Sequence, residues 1–249
     1  FTDRRQRQMC IRDRILSVWP GYHDSIFGVS LDIGSTTVAA CLSDLSSGDV
    51  IASVNTMNPQ IRFGEDLMSR VSFAMMNSNG AHQMTESIRG AINDLLQQLT
   101  EESNVPLTSI LEISIVANPV MHHILLGIDP CELGGAPFSL AIDTSVSEAA
   151  VNFGLNINPG GKVYVLPCIA GHVGADTAGV ILSEKPFSNE DLTLLVDVGT
   201  NAEVVLGNSK RLLACSSPTG PAFEGAQISC GQRATNGCLL YTSDAADDP

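Results

Sequence analysis

The sequence predicts an α/β fold. It has a mixed sheet that opens with a three-strand antiparallel meander, flanking helices, and the start of a second unit that repeats the opening. Three observations predict it. Short apolar runs separated by turn residues occupy about residues 26–31, 38–42 and 50–56. The apolar spacing then switches to the three-and-four pattern of helices. At residue 192 the strand–turn–strand pattern restarts with the same residue types at its tip.

A polar lead-in containing the only tryptophan, Trp19, precedes the first strand. Ser46, Ser47 and Gly48 make the turn between the second and third strands. Residues 62–76 then read as a helix. After Asn79-Gly80, Met84, Ile88, Ile92, Leu95 and Leu99 trace a second helix that ends before Pro106. A fourth strand covers 110–116, and a short helix at 121–126 is closed by Gly127. His122 and His123 are adjacent, so they project to different helix faces and suit a surface or capping pair better than one metal ion. Gly134, Gly135 and Pro137 mark a loop, 149–153 a short helix and 163–166 a fifth strand. AGHVGAD at 170–176 leads into an apolar helix that runs to Leu182. Strands at 192–196, 203–206 and 211–214 follow, then a Gly-rich run, SSPTGPAFEGAQISCG. A sheet with an antiparallel start and later crossovers needs helices on both faces.

The chemistry concentrates in LDIGSTTVAA (31–40) and its echo VDVGTNAEVV (196–205). Each apolar strand ends in an Asp, turns through a Gly and presents small hydroxyl or amide residues. An Asp there suits a metal ion or its water, and Gly34 and Gly199 allow close backbone approach to an oxyanion. Ser35, Thr36, Thr37, Thr200 and Asn201 supply main-chain and side-chain donors for phosphate oxygens. A single D-x-G-[ST] after a strand is most often an ordinary hairpin turn. The repetition is the stronger signal, because two such tips in facing subdomains would clamp a nucleoside triphosphate and its Mg²⁺.

Composition fits a soluble globular chain: 249 residues, 44% hydrophobic, 16% charged and 5% aromatic. A net charge of −14 with 13 basic residues argues against a nucleic-acid surface. It does not exclude ATP, which a local nest of backbone donors binds even in an acidic protein. No apolar run approaches the roughly 20 residues a membrane helix needs. Residues 1–14 (FTDRRQRQMCIRDR) and 238–249 (CLLYTSDAADDP) break the pattern of the middle and resemble translated adaptor read-through, so they are set aside as non-native or disordered ends. The expected organisation is a first subdomain over 15–190 and the start of a truncated second over 191–237. None of the seven cysteines forms a C-x-x-C pair or has a His at ligand spacing. Cys41, Cys168 and Cys215 read as small buried hydrophobes in a reducing, cytoplasmic compartment.

Five segments in order carry a family resemblance: FGVSLDIGSTTVAA, NPQIRFGEDLMSRVSFAM, MHHILLGIDPCELGGAPF, VYVLPCIAGHVGADTAGVIL and VDVGTNAEVVLGNSKRLLACSSPTGPAFEGAQISCG. The doubled hairpin and strand order resemble the actin-like ATPase superfamily of acetate and sugar kinases, actin and heat-shock chaperones, with its ribonuclease H-like subdomains. More narrowly, residues 26–233 resemble the ATPase domain of reductive activators of corrinoid proteins. The resemblance implies ATP-assisted return of cob(II)alamin to cob(I)alamin on a corrinoid protein or corrinoid-dependent methyltransferase. It places a two-iron two-sulfur cluster only in an N-terminal domain absent from this chain, and leaves a homodimer open.

It further implies Asp32 and Asp197 at Mg²⁺, since two facing carboxylates repel without a cation. Gly34, Ser35, Thr36 and Thr37 would hold phosphates from one side, and Gly199, Thr200 and Asn201 from the other. Glu203 would orient the attacking water or be a solvated strand residue. Ala170, Gly171, Gly174 and Asp176 are hinge or nucleotide-edge candidates. Gly220, Glu224 and Gly225 suit an anion at a helix start or tight packing. A small-molecule kinase of the same superfamily and a non-catalytic actin-like interaction module are the alternatives.

Overall fold

The computed structural model describes residues 7–11, 14–20, 25–199 and 201–218. The chain divides into two units, Phe1–Ser183 and Glu184–Pro249. The first contains β1 (Arg7–Ile11), β2 (Arg14–Trp19), β3 (Phe27–Ile33), β4 (Thr37–Asp44), β5 (Val50–Met57), α1 (Leu67–Met76) and α2 (Gly80–Ser103). It continues through β6 (Ile110–Ala117), α3 (Pro119–Leu126), β7 (Val146–Ala149), β8 (Lys162–Val165) and α4 (Ala175–Glu184).

Local chemistry explains where these elements depart from the sequence reading. The helix expected from residue 62 starts later, because Asp66 caps α1 by accepting from Ser69 N at 2.7 Å. Before it lies a separate 3₁₀ turn, Pro59–Phe63, capped by Asn58 with proline in the first turn. The helix expected at 149–153 is a 3₁₀ turn, Ala150–Phe153, preceded by the unexpected edge strand β7. At four residues, β7 is too short for alternation to reveal. The lead-in around Trp19 is also a strand, since β1 and β2 pair antiparallel from Arg7↔Trp19 to Ile11↔Arg14. Leu16 is buried, and Asn158 Nδ2 donates to Ser17 Oγ at 3.1 Å, tying β2 to the loop before β8.

The six-stranded sheet runs β5-β4-β3-β6-β8-β7. β3, β4 and β5 form the antiparallel meander, while β6 lies parallel to β3 and β8 parallel to β6. Strand alternation sorts the faces. Val29, Leu31 and Ile33 of β3, with Ile113, Ile115 and Ala117 of β6, point into the main core, where they meet Met84, Ile88, Ile92, Leu95 and Leu99 of α2. Ser30 and Asp32 point to the opposite face and are exposed. That face carries a smaller apolar cluster of Leu166, Cys168 and Ala175, packed on Val116 and Tyr164. Elements therefore cover both faces near the C-terminal ends of the parallel strands.

The second unit contains β9 (Thr193–Val198), β10 (Asn201–Asn208) and β11 (Arg211–Pro218), paired antiparallel in the order β11-β10-β9. It begins at a 3₁₀ turn, Pro186–Ser188, whose following residues hold the β10–β11 turn. Ser209 N donates to Asn189 O at 2.7 Å, and Asn208 Nδ2 to Glu190 O at 2.9 Å. Leu194, Val196 and Val198 are exposed on β9. Cys215 on β11 is exposed as well, which corrects its reading as a buried hydrophobe: apolar neighbours along a strand do not by themselves imply burial. Cys168 is buried as expected and Cys41 half-buried.

Candidate functional site

Three loops meet the C-terminal ends of the parallel strands: residues 34–36 after β3, Asn118 after β6 and residues 166–174 after β8. In open α/β sheets this edge is where ligands bind, because helix starts and loop amides converge there. Asn118 caps α3 by accepting from Met121 N at 3.0 Å. Gly174 packs against the same spot. A Cβ on it would lie 2.7 Å from both Ala117 O and Asn118 Cα, so only glycine lets α4 start so close to β6.

The turn after β3 is held from below by two fully buried polar residues, Asn58 and Arg70. Gly34 N donates to Thr37 O at 2.9 Å and closes the turn. The next three carbonyls are then captured. Asn58 Nδ2 donates to Gly34 O at 2.7 Å, Arg70 Nη2 to Ser35 O, and Asn58 N to Thr36 O at 2.7 Å. In a planar trans peptide each carbonyl is antiparallel to the N–H that follows it. The N–H groups of Ser35, Thr36 and Thr37 therefore point away from the buried pair. Ser35 and Thr36 are half-buried, Thr37 is exposed, and Asp32 is exposed two residues before the turn.

Arg70 is itself fixed, with Nε donating to Gly64 O at 2.9 Å and Nη1 to the Met121 sulfur at 3.1 Å. Burial lowers its pKa from 12.5 to about 10, with Asp66 opposing the shift at longer range, so it stays charged at neutral pH. Among the described residues its hydrogen-bond partners are carbonyls and a thioether. The sequence offered faint signals for this pair: an Asn-Pro helix start, and the only basic residue within α1.

Of the other candidates in this unit, Gly171 presses against the Phe138 carbonyl, which a Cβ would approach to 2.0 Å. Asp176 stands in the first turn of α4 and accepts from Thr177 N at 2.7 Å. His122 and His123 are buried, at 0% and 1% exposure, which corrects their reading as a surface or capping pair: α3 is apolar all round and sinks both rings. His122 Nε2–H donates to Leu166 O at 3.1 Å, tying α3 to the loop after β8. Desolvation, reinforced by His123 and opposed by the Leu166 bond, lowers its pKa to about 4. His123 Nε2 accepts from Ala141 N at 3.0 Å, so the proton sits on Nδ1, which donates to Pro119 O at 2.8 Å. Burial lowers its pKa as well.

In the second unit the echo is a residue shorter. Val198 pairs with Ala202 and Gly199 N donates to Asn201 O at 2.8 Å, whereas Ile33 pairs with Val38. Asp197 lies directly opposite Glu203, whose carboxylate accepts from Ser216 Oγ at 2.9 Å. Asp32 faces Ala39 instead. Thr200, Gly220, Glu224 and Gly225 lie outside the described residues.

No group of three or more His, Cys, Asp or Glu side chains comes together among the described residues. This donor set does not fit an iron–sulfur cluster. Burial first, and nearby acidic groups after it, raise the Cys131 thiol to about 11; burial lifts that of Cys168 to about 12. It does fit Mg²⁺ taken up with a phosphate ligand, since Mg²⁺ uses one or two carboxylates and completes its shell with water and phosphate oxygens.

Residues 27–185 match the RACo middle region, and residues 191–243 the C-terminal domain of RACo, the ASKHA domain. The chain belongs to the RACo family. It is 33% identical over 214 residues to the corrinoid activation enzyme RamQ of Eubacterium limosum, covering 86% of this chain and 36% of that protein. It is 24% identical over 224 residues to the [Co(II) methylated amine-specific corrinoid protein] reductase of Methanosarcina barkeri, covering 86% of this chain and 40% of that protein. A solved reductive activator for a corrinoid, iron–sulfur protein superposes with a TM-score of 0.82 at 35% identity, over 89% of this chain and 35% of the other. The actin-like α/β fold expected from the sequence is thus the fold of this RACo chain, which spans little more than a third of its curated relatives' length. No helix among the described residues is long and apolar enough to cross a membrane.

Proposed function

We propose that this chain is the nucleotide-binding part of an ATP-driven activator that returns the cobalt of a corrinoid protein to its reduced, methyl-accepting state. The observation that carries the reading is the 34–37 turn, whose captured carbonyls aim consecutive amides away from the core beside Asp32. Such a nest suits phosphate oxygens, and the hydroxyls of Ser35, Thr36 and Thr37 extend it. Asp32 and Asp197 would each serve Mg²⁺ through its water shell, and the ion when bound would neutralise phosphate charge. Gly199, Thr200 and Asn201 would serve phosphate from the second unit, with Glu203 near the reacting water. Gly171, Gly174 and Asp176 would border the nucleotide, as would Gly220, Glu224 and Gly225. The electron would come from an iron–sulfur domain outside this chain, and the corrinoid protein would be its acceptor.

The test is a titration of the isotope-labelled chain with Mg·ATP, followed by amide resonances. Shifts at Ser35, Thr36 and Thr37, saturating at about millimolar ligand, are expected for a small backbone nest acting on phosphate. Stationary resonances at those positions up to roughly ten times that concentration would overturn the reading.

A further inference from the structure

We infer that Arg70 and Asn58 are positioning residues for anion recognition: they set the 34–37 turn in its donor-outward form, and Arg70 places a buried positive charge beneath it. The inference rests on the phosphate reading above and assigns it to two residues outside the D-x-G-[ST] motif.

Geometry carries the first half. Nothing in the residues Gly34, Ser35, Thr36 and Thr37 compels three successive carbonyls to face inward, because a Gly-containing tip can flip its peptides at small cost. What compels them is the donor set beneath. Asn58 is fully committed: its Oδ1 accepts from Gln60 N at 2.9 Å, while its Nδ2 and N–H take the Gly34 and Thr36 carbonyls. The guanidinium of Arg70 bridges Ser35 O, Gly64 O and the Met121 sulfur, which links the turn to the loop before α1 and to α3. Flipping any of these peptides would leave a buried donor without its acceptor, which costs more than the flip gains.

Charge carries the second half. A buried guanidinium is costly unless an opposite charge accompanies it. Arg70 is 0% exposed and its hydrogen-bond partners are neutral. An anion seated on the outward amides adds, across one peptide layer, to the negative charge that Asp66 already supplies. The attraction acts in the poorly screened interior, so it grows with the charge of the ligand.

The experiment uses the 249-residue chain with inorganic pyrophosphate and tripolyphosphate as probes, read by amide shifts at Ser35, Thr36 and Thr37 and by the Arg70 Nε–H resonance. In the wild type, tripolyphosphate is expected to bind tighter than pyrophosphate and to move the Arg70 resonance. Arg70→Met should bind tripolyphosphate about tenfold or more weakly and lose the preference for the higher charge. Arg70→Lys, which keeps the charge but not the fork, should keep the preference with an intermediate loss. Asn58→Ser should weaken both probes equally. A merely structural Arg70 would change stability and leave the charge preference intact. Wild-type binding with a stationary Arg70 resonance, or folded Arg70 variants that bind like wild type, would overturn the inference while the phosphate reading stands. If Arg70→Met does not fold, the wild-type resonance and Arg70→Lys decide. Absence of any wild-type response at residues 35–37 would instead bring down the phosphate reading and this inference with it.

Discussion

Lowering the pH from 7 to 5 should destabilise the first unit through His122, and the structure gives the size of the effect. The ring is fully buried on α3, Nε2–H is spent on Leu166 O, and Nδ1 has no hydrogen-bond partner among the described residues. Burial penalises the charged ring, and the neighbouring His123 adds to the penalty, so the folded-state pKa falls from 6.5 to about 4. Because it lies below the unfolded value, the unfolded chain binds the proton first, and stability is full above pH 6.5 and lost as pH falls toward 4. Two-state linkage with these two values gives a loss of about 2 kcal/mol between pH 7 and 5, and about 3 kcal/mol by pH 4. His123, also lowered, adds in the same direction. Asp44, whose pKa is lowered from 3.8, acts only at more acid pH and does not mask the effect. Urea unfolding of wild type and His122→Gln at both pH values isolates the term, the variant being flatter by about 2 kcal/mol. Parallel pH dependences, within about 0.5 kcal/mol, would refute the burial argument.

Two further outcomes follow from the site. Gly174→Ala should cost about 1–3 kcal/mol and loosen the start of α4, because its Cβ meets backbone atoms of Ala117 and Asn118 that have no rotamer to yield. Thermal unfolding checks it, and a neutral variant would show that α4 shifts freely. Asp32→Asn should leave urea stability within about 0.5 kcal/mol, since the side chain is exposed, and should abolish any strengthening of ATP binding by Mg²⁺. Calorimetry with and without Mg²⁺ reads this directly, and an unchanged Mg²⁺ effect would remove Asp32 from the metal assignment.

The legible parts of this molecule are those whose periodicity persists. β3 alternates cleanly and α2 holds its apolar stripe over 24 residues, so both were readable within a few residues. β7 was not, because four residues with intermediate ends carry no period. The histidine pair was misread for a different reason. A single helix sequence does not show how many of its sides are covered, and α3 is buried on nearly all of them. The D-x-G-[ST] turn was legible as a motif, while Asn58 and Arg70 were not. They lie 24 and 35 residues from the Gly34 and Ser35 carbonyls they hold, at a distance where no local pattern operates.

The strand registers limit how far the internal echo can be taken. Aligning Asp32 with Asp197 and Gly34 with Gly199 suggests two equivalent phosphate loops, yet the strand registers make the second a residue shorter and give the two acids unlike neighbours. Asp32 faces a methyl group on Ala39, so no second carboxylate lies directly opposite it on β4. Asp197 faces Glu203, and like charges directly opposite on a sheet repel, so that pair is eased by a cation or by the Ser216 hydroxyl that Glu203 already takes. Duplication supplied two similar tips. Their surroundings then separated them, one with its carbonyls gripped by a buried Asn and a buried Arg, the other with two carboxylates side by side.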